Sequence, residues 1–124
     1  MNQESLTSSL QALRGYASVT GVILARGSKV VANQSDLLPF QTSEVATTLD
    51  DIAAYFRDEN RNPDQLAFGY DGAQLLVFIS EPNRLIITHR DANEIDLIAM
   101  AARAFLADYE MSMAALSFAK SRVA

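Results

Sequence analysis

The chain has 124 residues, of which 49% are hydrophobic and 20% are charged, with a formal net charge of −5 and no cysteine. This length and composition predict one soluble domain with a sizeable core. The lack of cysteine excludes disulfides, thiolate metal sites and a cysteine nucleophile, and the negative charge argues against nucleic acid and anionic membranes as partners. The sequence shows no signal-peptide pattern and no apolar run of membrane-spanning length, so we expect a cytoplasmic protein without membrane insertion.

The first half of the chain is predicted to form a helix, a strand hairpin, a loop and a second helix. The supporting patterns are leucines at helical spacing, two β-branched runs joined by a Gly-containing turn, a polar Pro-containing stretch and a longer apolar stripe at helical spacing. In chain order the predicted elements cover 4–14, 19–25, 29–33, 34–40 and 42–60. Thr42 or Ser43 is expected to cap the second helix, and Pro63 lies beyond its end. Gly21 indicates a bulge or a close backbone approach within the first strand.

The second half is predicted to form three strands and a third helix. The strands cover 66–70, 73–79 and 84–89, and Asp71-Gly72 is the pattern of a type I′ hairpin turn. The last two strands are apolar runs without alternation, which places them in the centre of a sheet. Asp91 or Asn93 is expected to cap the third helix, whose buried stripe is Ile95, Ile98, Ala102, Phe105 and Tyr109.

The last part of the chain has a weaker pattern than the rest. We predict a domain over 1–110 and an extension over 111–124, which is either a short helix or a frayed tail. The order α-β-β-α-β-β-β-α, with tight strand connections, predicts an α+β sandwich: a five-stranded antiparallel sheet with helices on its faces.

Candidate catalytic groups are weak in this sequence. His89-Arg90-Asp91 spells the tripeptide of a protein-kinase catalytic loop, but the other kinase motifs are missing, so these residues are interpreted as a strand end and a helix start. The acid pairs Asp50-Asp51 and Asp58-Glu59 are interpreted as the solvated face of the second helix. There is no Gly-rich phosphate loop. We therefore expect no enzyme, with no catalytic, cofactor-binding or metal-binding residues.

The second helix has more apolar residues than one stripe needs. Its stripe contains Val45, Leu49, Ile52, Ala53 and Phe56. Further apolar residues lie off to one side: Ala46, Ala54 and Tyr55. The helix either packs only on its own sheet or also presents a second face to another copy of the protein, and periodicity leaves both open.

Taken together, several ordered features resemble the Roadblock/dynein light-chain family over 6–108. They are Leu10 and Leu13 in the opening helix, the hairpin 19–32 with Gly21 and Gly27, the turn 70–72, the strand 84–88 and the final amphipathic helix. The resemblance implies a profilin-like sandwich with the first and third helices on one face of the sheet and the second helix on the other. It also implies homo- or heterodimers in which the second helices pair antiparallel and the strand before the Asp-Gly turn extends the sheet into the partner.

By this resemblance the chain is a non-enzymatic homodimeric scaffold in signalling that binds a Ras-like small GTPase or a related partner, as bacterial members of the family do. The residues that the resemblance places in the dimer interface are Val45, Leu49, Ile52, Ala53, Phe56, Leu66, Phe68 and Tyr70. The extension offers a further partner contact at Met111, Leu116 and Phe118.

Two other functions stay open. A small-ligand sensor would use a pocket between sheet and helices, but it needs polar groups that point into the core, and the stripes here are almost purely apolar. A secretion-chaperone-like protein would have a third strand before the second helix, where this sequence has a polar, Pro-containing stretch.

Overall fold

The computed structural model of the chain describes residues 1–70 and 73–123. Its elements follow the predicted order: α1 (Gln3–Arg14), β1 (Val19–Arg26), β2 (Lys29–Gln34), α2 (Pro39–Asp58), β3 (Gln65–Tyr70), β4 (Ala73–Ser80), β5 (Asn83–His89), a 3₁₀ turn (Ala92–Glu94) and α3 (Ile95–Val123). The predicted α+β class is confirmed. The predicted Asp71-Gly72 turn lies outside the described residues.

Five strands in the described part of the chain form one antiparallel sheet in the order β2-β1-β5-β4-β3. The prediction that β4 and β5 are central is confirmed, and β1 is also an inner strand. β3 lies at one edge, where one row of its backbone groups has no neighbouring strand among residues 1–70 and 73–123. Such an edge can pair with another chain unless something covers it.

Alternation along the strands divides the core between the two faces of the sheet. Val22 and Leu24 of β1 point to the face covered by α1 and α3, whereas Ile23 and Ala25 point to the face covered by α2. The predicted placement of the first and third helices on one face, with the second helix on the other, is therefore confirmed.

The start of α2 differs from the prediction. The helix begins at Pro39, so the loop before it is only 35–38, and Thr42 and Ser43 are not its caps. The Leu38 backbone N–H donates to the Gln41 side chain at 2.9 Å, and proline suits the first helical position because no intrahelical acceptor exists for an N–H there. The Thr42 hydroxyl is buried inside the helix and donates to the Pro39 carbonyl at 2.9 Å.

The end of α2 also differs. The helix stops at Asp58, two residues before the predicted end at 60, and Asn60 has a positive φ of 57°. Asparagine tolerates this left-handed conformation better than most residues, so the chain turns here before it reaches Pro63.

The third helix is one continuous element beyond the expected boundary at 110. The Asp91 side chain accepts a hydrogen bond from the Asn93 N–H at 2.9 Å, as expected for a cap, and opens the 3₁₀ turn that leads into α3. The helix then runs to Val123, so the alternative of a frayed tail is not what the structure shows for 111–123. The predicted stripe is buried from Ile98 to Tyr109, and Ile95 is half-buried.

Gly21 fulfils both expectations for a glycine within a strand. The pairing of β1 with β5 shifts register between Val19 and Gly21. A Cβ added to Gly21 would lie 2.9 Å from the Ser35 Cβ and 2.9 Å from the Thr88 Oγ1. Because no real Cβ tolerates such contacts, glycine is required here.

Candidate protein-interaction surface

Helix α2 lies against only part of its face of the sheet. Its buried residues are Thr42, Ala46, Leu49 and Ala53. Ala46 and Leu49 join one apolar cluster with Ile23 of β1 and Ile86 of β5. On the same face, towards the edge, Leu66 of β3 is only half-buried and Phe68 is 36% exposed. One side of the face is therefore covered by the helix, and the β3 side is not.

The phase of the α2 stripe is rotated relative to the prediction. Ala46, which the sequence placed to one side, is 1% exposed, while Val45, Ile52 and Phe56 are only half-buried. Small side chains bring the helix backbone close to the sheet, and the larger ones flank this contact. Val45 and Ile52 pack against the margin of this core cluster and stay half-exposed there.

A cavity of about 380 Å³ lies between α2 and the uncovered part of the sheet. Val45, Thr48 and Leu49 of α2 form one wall, and Phe68 and Leu75 lie in the opposite wall. The cavity is open enough to be a groove that a partner can enter, since Phe68 lines it and is also exposed.

The lining of this cavity is not purely apolar, contrary to the expectation for the region between sheet and helices. Thr20 and Thr88 lie in it with their hydroxyl oxygens 2.8 Å apart, and Ser35 and Thr48 add two further hydroxyls. Strand threonines are expected on either face, so the sequence alone did not distinguish these from surface residues.

A buried cation fixes α2 to the sheet. Arg84 of β5 is 1% exposed, and its Nη1 donates to Asp50 of α2 at 2.5 Å. Its Nη2 donates to Glu81, in the turn between β4 and β5, at 2.9 Å. Asp50, interpreted as part of a solvated acidic face, keeps a side chain that is 39% exposed, but its pairing with Arg84 was not predicted; Asp51 is exposed as expected.

The charge of Arg84 is maintained by these two carboxylates. Burial by itself lowers the pKa of the guanidinium, but the hydrogen bonds that it donates to Asp50 and Glu81, together with their negative charges, outweigh that effect and raise the pKa above its ordinary value. Because the folded-state pKa is raised, the stabilisation is fully present below the unfolded pKa and is lost only at strongly alkaline pH. One signal in the sequence could have indicated this site: a single arginine that begins an otherwise apolar inner strand.

The predicted dimer-interface residues fall into three groups. Leu49 and Ala53 are buried against their own sheet, while Phe68 is exposed at the rim of the cavity. The half-buried members are Val45, Ile52, Phe56 and Leu66. The side chain of Tyr70 lies outside the described residues. The structure thus brings most of the set to one face, around α2 and β3, and their role in an interface stays a prediction.

The predicted partner contact in the last part of α3 is exposed. Met111 is 72%, Leu116 45% and Phe118 62% exposed. They follow the part of α3 that packs on the other face of the sheet from α2, and they do not line the groove beside α2.

The described residues contain no group of three or more His, Asp or Glu side chains arranged to hold a metal ion. None of the helices in the part of the chain that the structure describes is long and apolar enough to cross a membrane. His89 ends β5, and Asp91 precedes the 3₁₀ turn, as interpreted from the sequence.

Known structures share the fold that is defined by this order of elements and by a sheet with a single helix on one face. The Roadblock/LC7 domain from Streptomyces avermitilis superposes with a TM-score of 0.66 at 16% identity, covering 84% of this chain and 96% of that one. Myxococcus xanthus MglB superposes with a TM-score of 0.74 at 12% identity, covering 90% and 99%. The fold is that of Roadblock/LC7 domains.

A third Roadblock-fold structure, MglB in a tetrameric arrangement, has a TM-score of 0.68 at 16% identity and covers 82% of this chain and 85% of that one. Comparisons with sequence models of protein families and with curated proteins found no match. The resemblance found in the sequence is therefore confirmed at the level of the Roadblock fold.

Proposed function

We propose that this chain is a non-enzymatic, homodimeric Roadblock-type regulator that binds a Ras-like small GTPase or a related signalling partner. The observation that carries the proposal is the half-covered face beside α2, where a groove of about 380 Å³ adjoins the edge strand β3. A second copy can cover both features at once, as the family resemblance implies.

In the proposed dimer, α2 of each copy packs antiparallel beside α2 of the other copy, and the two β3 edges pair. Val45, Ile52 and Phe56 supply the flanking apolar surface, and Phe68 is covered by the second copy. Leu49 and Ala53 support this surface from beneath because their own sheet already covers them. Pairing of β3 also satisfies backbone groups that otherwise invite aggregation.

The GTPase part of the proposal rests on the likeness to the Roadblock fold, including MglB of Myxococcus xanthus, together with the exposed partner contact on α3. One of the similar structures is an MglB in a tetrameric arrangement, which supports self-association as a property of the fold. Met111, Leu116 and Phe118 remain the proposed contact for the GTPase or related partner.

The dimer is tested by the solution mass of the wild type and of Phe68→Glu. A charge in the covered groove should raise the dimer dissociation constant about tenfold or more while the chain stays folded, because Phe68 is exposed in the single copy. Phe40→Glu is the matched control, since Phe40 is an exposed phenylalanine (66%) that does not line the groove. Leu49 is unsuitable for this purpose because a charge there would disrupt the core.

The partner is tested by incubating the chain with Ras-like GTPases loaded with GDP or with a GTP analogue. We expect binding to one nucleotide state and loss of binding in Leu116→Glu with the folded mass unchanged, since Leu116 is exposed in the single chain. A chain that dimerises but binds no GTPase in either nucleotide state would contradict the proposed partner. The proposed dimer would remain supported.

A small-ligand sensor is the second candidate, favoured by the hydroxyl groups of Thr20 and Thr88 in the cavity lining. A ligand at one hundred times its dissociation constant would add about 2.7 kcal/mol to the free energy of unfolding. Thermal stabilisation by a metabolite, lost in Thr88→Val, would favour this function. A secretion-chaperone-like function gains no support, since only 35–38 separate β2 from α2.

A further inference from the structure

Helix α3 has two apolar faces, and the fold uses only one of them. The inner face packs on the sheet through Ile98, Ala102, Phe105, Leu106 and Tyr109. A second set of apolar residues lies on the solvent side, spaced alternately three and four residues apart. This set, here called the outer seam, consists of Leu97, Met100, Ala104, Ala107, Met111 and Ala114.

The spacing of the outer seam is that of the a and d positions of a coiled coil. The seam runs without a polar interruption along roughly 27 Å of helix, at about 1.5 Å per residue. Its members are exposed in the single chain, and Met100 and Met111 have exposed fractions of 73% and 72%. A continuous exposed apolar stripe of this kind marks an interaction surface rather than ordinary surface composition.

We propose that the outer seam is a second self-association surface, on which α3 packs antiparallel against α3 of another copy. This goes beyond the proposed function and does not depend on the proposed dimer, because α3 and the groove beside α2 lie on opposite faces of the sheet. The outer seam shares Met111 with the proposed partner contact. One chain would then carry two separate contacts with copies of itself.

The seam is complementary to itself in one antiparallel register. When the two helices cross midway between Phe105 and Leu106, Met100 lies opposite Met111 of the second copy. In the same register Ala104 lies opposite Ala107 of the second copy, so that the helix backbones can approach closely at the centre. Towards the ends, Leu97 lies opposite the small residue Ala114 of the second copy, which leaves room for the larger side chain.

The residues that flank the seam carry matching charges in this register. Arg103 and Glu110 both flank the seam on the same side, at g positions, and g positions face each other across an antiparallel coiled coil. Arg103 therefore lies beside Glu110 of the second copy, and two-fold symmetry gives this pair twice. Arg103 is partly exposed, and within its own chain it donates to Gln65 at 2.6 Å, lies 3.7 Å from Asp64 and stacks over the Phe78 ring. The proposed pair forms when the guanidinium turns from these contacts towards the second copy. A parallel pairing would also provide an opposite charge, because Arg103 would face Asp108 of the second copy. The flanks alone therefore do not decide the direction.

The charges at the two ends of α3 favour the antiparallel arrangement over the parallel one. Asp91, Glu94 and Asp96 make the start of the helix acidic, whereas no acid follows Glu110 and the last part carries Lys120 and Arg122. An antiparallel pair brings each acidic end to a basic end, and it also opposes the two helix dipoles. A parallel pair would place acid beside acid and base beside base.

The first test is the solution mass over a range of concentrations, for wild type and Met100→Glu. Each contact would bury two unpaired charges in the variant, so we expect its dissociation constant to rise about tenfold or more. Met113→Glu is the matched control: the same substitution on the same helix, at an exposed position (37%) off the seam, with no effect expected. Equal behaviour of the two variants, or a wild type with no α3-dependent association, would overturn the proposal.

The two self-contacts can be separated with Phe68→Glu. This variant should lose the contact beside α2 and keep the α3 contact, so its remaining association should disappear when Met100→Glu is added. If Phe68→Glu alone abolishes all association, the outer seam is not a self-association surface, and the result bears on the groove only.

The second test uses the natural absence of cysteine, which makes introduced thiols unambiguous. In the proposed register a mixture of Met100→Cys and Met111→Cys chains should oxidise to a mixed disulfide. Two copies of Met100→Cys alone should not, because their positions would lie roughly 16 Å apart along the helix, well beyond the span of about 7 Å that a disulfide allows. A disulfide in Met100→Cys alone, or none in the mixture, would overturn the antiparallel arrangement.

The third test reverses the flanking charges. Arg103→Glu would place like charges opposite each other and should weaken association about fivefold or more. Adding Glu110→Arg should restore it, although the bond from Arg103 to Gln65 within the chain stays lost. A double variant that stays as weak as Arg103→Glu would show that the single change acted through its own chain, against the proposed pairing.

Discussion

The two faces of the sheet are completed in different ways. On one face α1 and α3 together close a continuous core, in which Leu10 and Ile98 are fully buried. On the other face α2 covers the side near β1 and leaves a groove beside β3. The helices of the chain cover the first face, whereas the second face keeps apolar surface that a partner can bury. The difference indicates where packing serves stability and where it serves recognition.

The largest expected effect compares one leucine on each face. Leu10→Ala should lower the free energy of unfolding by about 3–4 kcal/mol because the cavity it leaves is enclosed. Leu49→Ala should cost only about 2 kcal/mol, since Leu49 already lines the groove and the space it leaves opens to solvent. Chemical denaturation of both variants measures this. Equal losses would mean that the α2 face is packed as tightly as the other.

A smaller effect is expected where β1 and β5 approach the start of the groove. Gly21→Ala should cost about 2 kcal/mol because the new methyl group would overlap Ser35 and Thr88. Gly15→Ala is the control, since a Cβ there would meet its nearest atoms at an ordinary 3.7 Å and its φ is −82°, so a change within about 0.5 kcal/mol is expected. Thermal melting of the pair distinguishes overlap from a general effect of losing glycine.

The smallest effect concerns the ion pairs that hold α2 on its face. Asp50→Ala should cost about 1–2 kcal/mol, because it leaves the buried Arg84 cation with Glu81 alone. Arg84→Met should stay within about 1 kcal/mol of wild type, since both carboxylates are partly exposed and can be hydrated. The raised pKa of Arg84 keeps it charged, so its contribution should not change across the neutral range. Urea unfolding of wild type and both variants at two pH values measures these changes in the free energy of unfolding. A larger loss in Arg84→Met than in Asp50→Ala would contradict the expectation.

Elements with strong periodicity were predictable from the sequence, and elements that depend on small or capping residues were not. The strands and the inner face of α3 follow directly from apolar spacing, and Gly21 follows from the chemistry of its missing side chain. The phase of α2 was wrong because alanine fits both a buried and an exposed position. Its start was wrong because the Gln41 side chain at Leu38 replaced a conventional cap at Thr42.

The candidate surface was predictable only in outline. The resemblance placed α2 and β3 together, and the structure brings Val45 and Phe68 to the same groove. The groove itself depends on how far apart elements distant in sequence come to rest, which no local pattern contains. The link between Arg84 and Asp50 is of the same kind, since the two residues lie on elements that only the fold brings into contact.

Among the side chains of α3 that the structure describes, Tyr109 is the last one that is buried. Isolated helical segments of this length are marginal in water, so a bound partner or second copy that covers these turns should add to their stability. The stability of these turns should therefore depend on whether a partner or another copy is bound to them. Backbone amides after Tyr109 should exchange with solvent quickly in a dilute, isolated chain and slowly in the bound state. The rate of amide exchange in the last part of α3 should therefore show whether the chain is assembled, and the measurement needs no label.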